Sequence, residues 1–564
     1  MANTAVLEDI RHVAEAETHV GMLPGTELMA EVAGIHLVHA HNRPNATVLV
    51  PQPTASPHDP LNWSKLWKTV VLTNQGLFVL ASIITTLSIA PLTPVYMAEW
   101  DKSLTQVNLL TGVTVLCLGY ANFVIIPCSD IFGRRPTLLV CALISLASCI
   151  WQALAKTYHS FLGARVLAGL GPAANESIMA TVVADLYFLH QRGRYVGVYF
   201  WCYFVGLMIG PIISGNVAAH VSWRWFFWAC TIVQVVEIVG LLLFSPETRR
   251  ILDDPTPVPA ATVVQQPSQS QQLVKEEDDD KAPADEVVEN EQREVEVVEN
   301  ANVIVDEYLG RGRPNRAQFN VIQPIDRRAT AFTTILRHVL TPVQIFGYPI
   351  IFWAAMSMGA AANALLCVNL AQSQALAAPP YNFTPANVGF ANFALAVGAV
   401  VGLATAGPFS DWVAMRATKR NRGIREPEQR LPALIPFLVA SVVGMVIIGV
   451  GFDRQWPWEP IIIVGFTLAG VLTVSIPTIA ITYAIDCYKP ISGQIMVTST
   501  VAKNTFGFGM TYYINDWAAE SGFTGPFMLL MGMTVGFSLV GMVVLMVYGK
   551  TFRRWTKDAK VHSF

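Results

Sequence analysis

Apolar residues gather along this chain into about twelve nearly continuous runs, separated by shorter polar stretches, rather than recurring on one face of short amphipathic segments. The runs lie at roughly 69–93, 105–127, 137–155, 161–187, 195–217, 224–245, 345–373, 388–409, 433–452, 460–486, 494–516 and 525–548. A hydrocarbon layer about 30 Å thick is crossed by roughly 20 residues of α-helix rising ~1.5 Å each. Each run approaches or exceeds that length. Lipid offers no partner to a backbone amide, and runs this long far exceed a barrel strand, so each is predicted to be a transmembrane helix. The expected fold is all-α: a polytopic membrane protein of about twelve helices.

The pattern also divides the chain. Between the sixth and seventh runs lies "PTPVPAATVVQQPSQSQQ" followed by "KEEDDDKAPADEVVENEQREVEVVEN". Pro, Gln and repelling like charges bury too little apolar area to offset ordering entropy, so 249–340 is expected to be a disordered acidic linker. The organisation follows: an N-terminal tail at 1–65, a six-helix half at 66–248, the linker, a second six-helix half at 341–548 and a tail at 549–564. The halves echo one another, with "PCSDIFGRRP" after the second run and "GPFSDWVAMRATKR" after the eighth. Ser-Asp before a basic loop at corresponding positions is what a parallel duplication produces, an architecture of secondary transporters.

Composition sharpens this picture. Of 564 residues 53% are hydrophobic and 14% charged, and the mean hydropathy is +0.43. A soluble domain carries about 25% charged residues, so an ordinary soluble enzyme is excluded. The net charge of -3 gives no reason to expect nucleic acid. None of the eight cysteines forms a CxxC pair, so neither a disulfide framework nor a metal site is indicated, and no cofactor is implied. Absence of GxxxxGK[ST] argues against an ATP-driven pump, and absence of HExxH and GxSxG against an intramembrane enzyme. The first run lacks the pattern of a cleaved signal peptide, which leaves the N-terminus in the cytoplasm. The loops "DIFGRRP", "LHQRGR" and "MRATKRNRGIREPEQR" are basic, as is the C-terminal "GKTFRRWTKDAK", which places all of them on the cytoplasmic side.

Polar residues inside the runs are the candidates for chemistry. Charged groups at membrane depth cost at least about 2.5 kcal/mol each and persist mainly where they face a cavity or a partner. In the fourth run Arg165, Gly169, Pro172 and Glu176 are spaced to share one helical face. Glu176, about 22 Å into its helix, is placed to exchange a proton or to counter a cationic substrate, with hydrogen bonding to Asn175 as the structural alternative. Glu237, near Gln234 in the sixth run, lines the cavity or binds a neighbouring helix. Asp486 and Lys503 are read as helix-end residues that snorkel to water. Asn363, Asn369 and Gln372 are available to a ligand or to a neighbouring helix, and Tyr199, Trp201 and Tyr203 suit either a cation pocket or packing. Of the sequons at Asn45, Asn62, Asn175 and Asn382, only Asn382 falls in an outside loop and is a candidate glycosylation site.

Several strings resemble known signatures. "SDIFGRRP" (Ser129 to Pro136) is similar to the loop signature between helices 2 and 3 of the major facilitator superfamily, with Ile126 where that signature usually has Gly. "RVLAGLG" resembles its helix 4 motif and "GLMIGPIISG" the helix 5 motif of its antiporters. "DPLNWSKLWK", "DLYFLHQRGR", "SPETRR" and "RNRGIREPEQRL" resemble the fungal proton-coupled drug and organic-cation branch that includes polyamine and histidinol carriers. In the loop signature, Asp130 with Arg134 and Arg135 beyond Gly133 is suited to a charge contact that breaks and remakes as the helices rock. In helix 5, Cys202, Gly206, Gly210 and Ser214 form a smooth face, and Pro211 adds a kink. The resemblance implies that the motif, with Gly215, seals the outward side and favours antiport.

The expectation is therefore a secondary transporter driven by the proton gradient and alternating access between two halves. Efflux of a drug, toxin or secondary metabolite is the leading substrate reading. Uptake of organic cations such as polyamines, or a non-transporting nutrient sensor, are the alternatives. The partners expected are the lipid bilayer, a small-molecule substrate and protons, with a monomeric protein in the cell membrane or a vacuolar or other internal membrane.

Overall fold

The computed structural model describes residues 27–28, 56–249, 309–323, 332–421, 424–488 and 491–556. Among them are twelve long helices: α1 Lys65–Leu87, α2 Leu104–Phe132, α3 Arg134–Leu154, α4 Tyr158–Leu186, α5 Leu189–His220, α6 Trp223–Phe244, α7 Pro349–Ala377, α8 Pro385–Arg420, α9 Ile435–Asp453, α10 Pro460–Cys487, α11 Ser492–Ser521 and α12 Thr524–Trp555. Eleven of these spans are long and apolar enough to cross a bilayer. The other, α11, has 30 residues but is more polar, because it carries Lys503, Asn504, Asn515 and Asp516. Among the described residues the strand pairing is a two-residue antiparallel match of Glu27–Leu28 with Ile424–Arg425 and an isolated bridge between Trp63 and Gly312.

Side-chain caps fix several helix starts. Ser64 accepts from the Trp67 N–H at α1, Thr384 from Asn387 at α8, and Ser103 with Gln106 forms a reciprocal capping box at α2. Hydropathy places most helices within a few residues, but two depart from it. The eighth run ends near 409, whereas α8 continues to Arg420, since a helix persists beyond the apolar layer once its charges reach water. The fourth run reads as one helix, whereas α4 breaks at Gly171–Ala173 into Tyr158–Leu170 and Ala174–Leu186. Pro172 is the cause, since it supplies no N–H and its ring opposes helical continuation.

Buried apolar side chains form one large cluster among α7 to α12 and two among α1 to α6. On the outer surfaces of α6 and α12, Ile232, Val236, Leu243, Val540, Val543 and Val547 are exposed, as a lipid-facing belt requires. The halves meet along α2 with α11 and α5 with α8. At the end remote from the linker, Thr105 on α2 donates to both Asp516 oxygens on α11 (2.9 and 2.8 Å), and Ser373 on α7 donates to the Ala90 carbonyl at 2.7 Å.

The segment read as a single disordered linker is not uniform. Its acidic stretch lies outside the described residues, but Leu309–Gln323 is ordered against the N-terminal half. Ser64 N–H donates to the Gly312 carbonyl, Gly312 N–H to Asn62, and Arg313 N–H to Pro57. His58 Nδ1 lies 3.0 Å from the Arg313 carbonyl, Phe319 packs edge-on against Trp67, and Glu247 N–H donates to Gln318. A further helix, Phe332–Ile345, leads into α7. The backbone groups of 309–323 find partners in the tail before α1, which is why a segment poor in apolar residues holds its shape.

Candidate functional site

Between the halves lies a cavity with about 110 Å³ of space for water-sized occupants, walled by α1, α2, α4, α5, α7, α10 and α11. Its lining is mostly apolar, and Glu176 and Lys503 are the two charged side chains in it. They meet across the halves: Lys503 Nζ donates to Glu176 Oε1 at 2.6 Å. Two further donors reach the same carboxylate, Tyr203 OH on α5 at 3.0 Å and Asn504 Nδ2 at 3.3 Å. Three donors on one acceptor-only group suit an ionised carboxylate. The ammonium also lies 5.5 Å from the centre of the Tyr203 ring. Glu176 is 3% exposed and Lys503 8%, so an ion pair without this geometry would be strongly unfavourable here.

The local folding that produces the site starts at the α4 break. Restarting the helix at Ala174 puts Asn175 and Glu176 in its first turn, where the helix dipole favours a negative charge. On the facing helix Lys503 is eleven residues from the start of α11, about 17 Å along the axis. It is therefore near mid-membrane, not at a helix end from which it snorkels. Asn363 Nδ2 on α7 donates to the Gly359 carbonyl and to the Lys503 carbonyl (2.7 and 3.2 Å), holding the α11 backbone beside the cavity.

Other residues singled out in the sequence fall in different places. Arg165 lies before the α4 break and Glu176 after it, and the two side chains find different partners. The Arg165 guanidinium is fully buried and donates to the Leu110 and Thr86 carbonyls and to Gln152 Oε1 (3.2, 2.6 and 3.2 Å), tying α4 to α2, α1 and α3. Asn175 is not the partner of Glu176; its side-chain amide is buried with no hydrogen-bond partner among the described residues. Glu237 and Gln234 are buried outside the cavity lining, likewise without partners among the described residues. Tyr199 and Tyr203 line the cavity, while Trp201 is 44% exposed and points elsewhere. Asn369 also lines it, whereas Gln372 bonds Asn369 and Asn392. Asp486 is held by Arg430 at 3.4 Å and Arg425 at 3.8 Å. Asn382 is exposed in the loop between α7 and α8.

At the linker-side end of α2, Gly133 adopts φ +103°, a turn that glycine tolerates without strain, and a side chain there would also strike the Glu247 carboxylate. Arg134 bridges Asp130 at 3.2 Å and Asp185 at 3.3 Å. Arg135 does not join Asp130: its guanidinium donates to the carbonyls of Leu241, Leu242 and Ser245 at the end of α6. Glu247 accepts the backbone N–H groups of Arg134 and Arg135 (3.0 and 3.1 Å), and Arg249 donates to the carbonyls of Asp130 and Ile131. Sequence reasoning missed Asp185, Glu247 and Arg249 as partners, although "DLYFLHQRGR" opens on the first and "SPETRR" holds the other two.

The small-residue face of α5 lies on α1. Gly206 approaches the Leu80 carbonyl, Gly210 sits by Ser88, and Ser214 donates to the Ser88 carbonyl at 2.5 Å. Past the Pro211 turn α5 reaches the other half, with Gly215 against Pro385 and the Pro211 carbonyl against Gly389 of α8.

Two six-helix groups enclosing a central cavity, with one ion pair reaching across it, define a membrane transport protein of alternating-access architecture. The chain belongs to the Major Facilitator Superfamily, whose family model matches residues 76–486. It is 26% identical to Protein HOL1 of Saccharomyces cerevisiae over 91% of each chain, and 27% identical to the uncharacterized MFS-type transporter C1271.10c of Schizosaccharomyces pombe over 96% of this chain and 94% of that one. The probable efflux pump mfs2 of Aspergillus flavus is 23% identical over 82% of this chain and 98% of its own. Among solved structures, the human organic anion transporter MFSD10 (TETRAN) shares the fold with a TM-score of 0.52 at 14% identity, covering 85% of this chain and 99% of that one.

Proposed function

We propose that this transporter couples the movement of a small organic molecule to the proton gradient, with export of a drug, toxin or secondary metabolite as its direction. The observation that carries the reading is the Glu176–Lys503 pair, a charge contact between halves that rocking must break. Basic loops support a cytoplasmic linker side, and on that orientation the Thr105–Asp516 and Gly215–Pro385 contacts belong to a closed outer gate. Similarity to a probable efflux pump over 82% of this chain supports export, and the small-residue face of α5 supports a tight antiporter-type seal. On this reading the protein works as a monomer in the cell membrane or an internal membrane, and Asp130, Arg134 and Arg135 hold the cytoplasmic end of the first half together as it rocks.

Uptake of organic cations is the second reading, favoured by a carboxylate set beside Tyr199 and Tyr203. The test is flux in proteoliposomes under an imposed pH gradient. Proton-driven flux in the wild type that is lost in Glu176→Gln supports the proposal, and the sign of the flux separates export from uptake. Absence of proton-driven flux across a panel of drugs and organic cations contradicts the proposal and favours a sensor.

A further inference from the structure

The charges of the cavity assign a second role, which rests on the proposed binding of an organic molecule at Glu176. We propose that Lys503 is the proton carrier: an organic cation bound to Glu176 displaces the Lys503 ammonium, which releases its proton, so cation and proton exchange across the membrane.

Glu176 and Lys503 are both more than nine-tenths buried, and among the described residues the cavity wall holds no other charged side chain. The Lys503 ammonium contacts Glu176 from α4 and the Tyr203 ring from α5, and the polar groups that share the cavity lining include Tyr199 from α5, Asn363 from α7 and its own neighbour Asn504. With the pair intact the cavity is neutral. A cation taking the carboxylate leaves a lysine ammonium with no counter-charge in an apolar enclosure, the arrangement that buried groups avoid by neutralising. Lysine has that route, because one N–H bond breaks, the electron pair stays on Nζ and the proton passes to water. On the opposite side a proton from water re-forms the bond, and the restored ammonium competes the cation off Glu176. One proton moves for each single positive charge, and the cavity is neutral at both ends of the cycle.

Arginine separates this from a purely structural ion pair, since a guanidinium keeps the charge and the contact but does not deprotonate. The experiment uses the purified full chain in weakly buffered detergent solution with a pH-sensitive dye. The probes are tetraethylammonium, tetraphenylphosphonium and ethidium, permanent cations with no proton of their own to release. The wild type is expected to release about one proton per cation bound. Lys503→Arg is expected to release none, and Glu176→Gln to lose binding. Acetylation of Lys503 by acetic anhydride in the wild type, followed by mass spectrometry, is an independent readout if the arginine variant does not fold: bound cation should accelerate it by freeing a neutral amine. Binding without proton release, release that survives in Lys503→Arg, or acetylation unchanged by cation overturns the role of Lys503 while the transport reading stands. Failure of the wild type to bind any of the three cations overturns cation binding at Glu176 itself.

Discussion

The two halves repeat their bracing but not their chemistry. At the linker-side end of the first half, Arg134 joins Asp130 of α2 to Asp185 of α4; in the second, Arg430 joins Asp411 of α8 (2.9 Å) to Asp486 of α10 (3.4 Å). The link between the third and sixth helices of each half is also repeated, with its polarity reversed. Glu247 after α6 caps the start of α3, whereas Glu428 before α9 holds Arg553 of α12 through a two-armed contact (2.9 and 2.8 Å). Nine residues before the paired aspartates the likeness fails: Glu176 precedes Asp185, and Pro477 precedes Asp486. Both positions line the cavity, yet only one carries a charge. Contacts inside a half travel with it and stiffen it. The unrepeated pair spans the halves, so on the proposed reading the transport cycle has to remake it, as it does the outer-gate contacts.

Breaking that asymmetry gives the largest expected effect. Glu176→Gln keeps shape and hydrogen bonding but removes the charge, and proton-driven flux in proteoliposomes should fall at least about 100-fold at matched protein levels, a barrier change near 2.7 kcal/mol. Next come the braces. Glu428→Ala removes the carboxylate that Arg553, a fully buried guanidinium, holds through two arms, and should cost about 3–5 kcal/mol, read as lost thermal stability in detergent. Glu247→Ala removes a cap on backbone N–H groups and should cost about 1–3 kcal/mol. At the aspartates the order reverses between halves. Asp130→Asn should reduce transport severalfold with expression preserved, whereas Asp411, 63% exposed in a pair that Arg430 also makes with Asp486, should tolerate Asn with little change. The smallest effect belongs to the linker: deletion of Val274–Asn300 should leave insertion and stability unchanged, while removal of Leu309–Gln323 should lower the melting temperature by several degrees.

These contrasts show what the sequence made legible. Apolar run length identified the spans, because lipid leaves a backbone so few options. The Asp-Gly-Arg-Arg spacing pointed to the α2–α3 turn, because a helix end, a positive φ and a charge pair are all local. Glu176 was legible by depth alone. Its partner was not, since Lys503 lies 327 positions away and hydropathy treats it as a flaw in an otherwise apolar run. Counting residues from the start of α11 would have placed it at mid-membrane. The different partners of Arg165 and Glu176 were hidden for another reason: spacing arguments assume a continuous helix, and the turn at Pro172 interrupts it. The order in 309–323 was hidden because it depends on backbone pairing with the tail near 57–64, which carries no periodicity.

A double-substitution cycle on Glu176→Gln and Lys503→Met, with thermal stability and proton-driven flux measured for each protein, tests the central claim most directly. If the two side chains form the cross-half pair that the cycle remakes, each single change strands a buried partner and lowers stability. The double change should then recover much of that loss, with a coupling of about 1–3 kcal/mol, while flux stays abolished. Additive losses of stability, or flux that persists in the double variant, would contradict it.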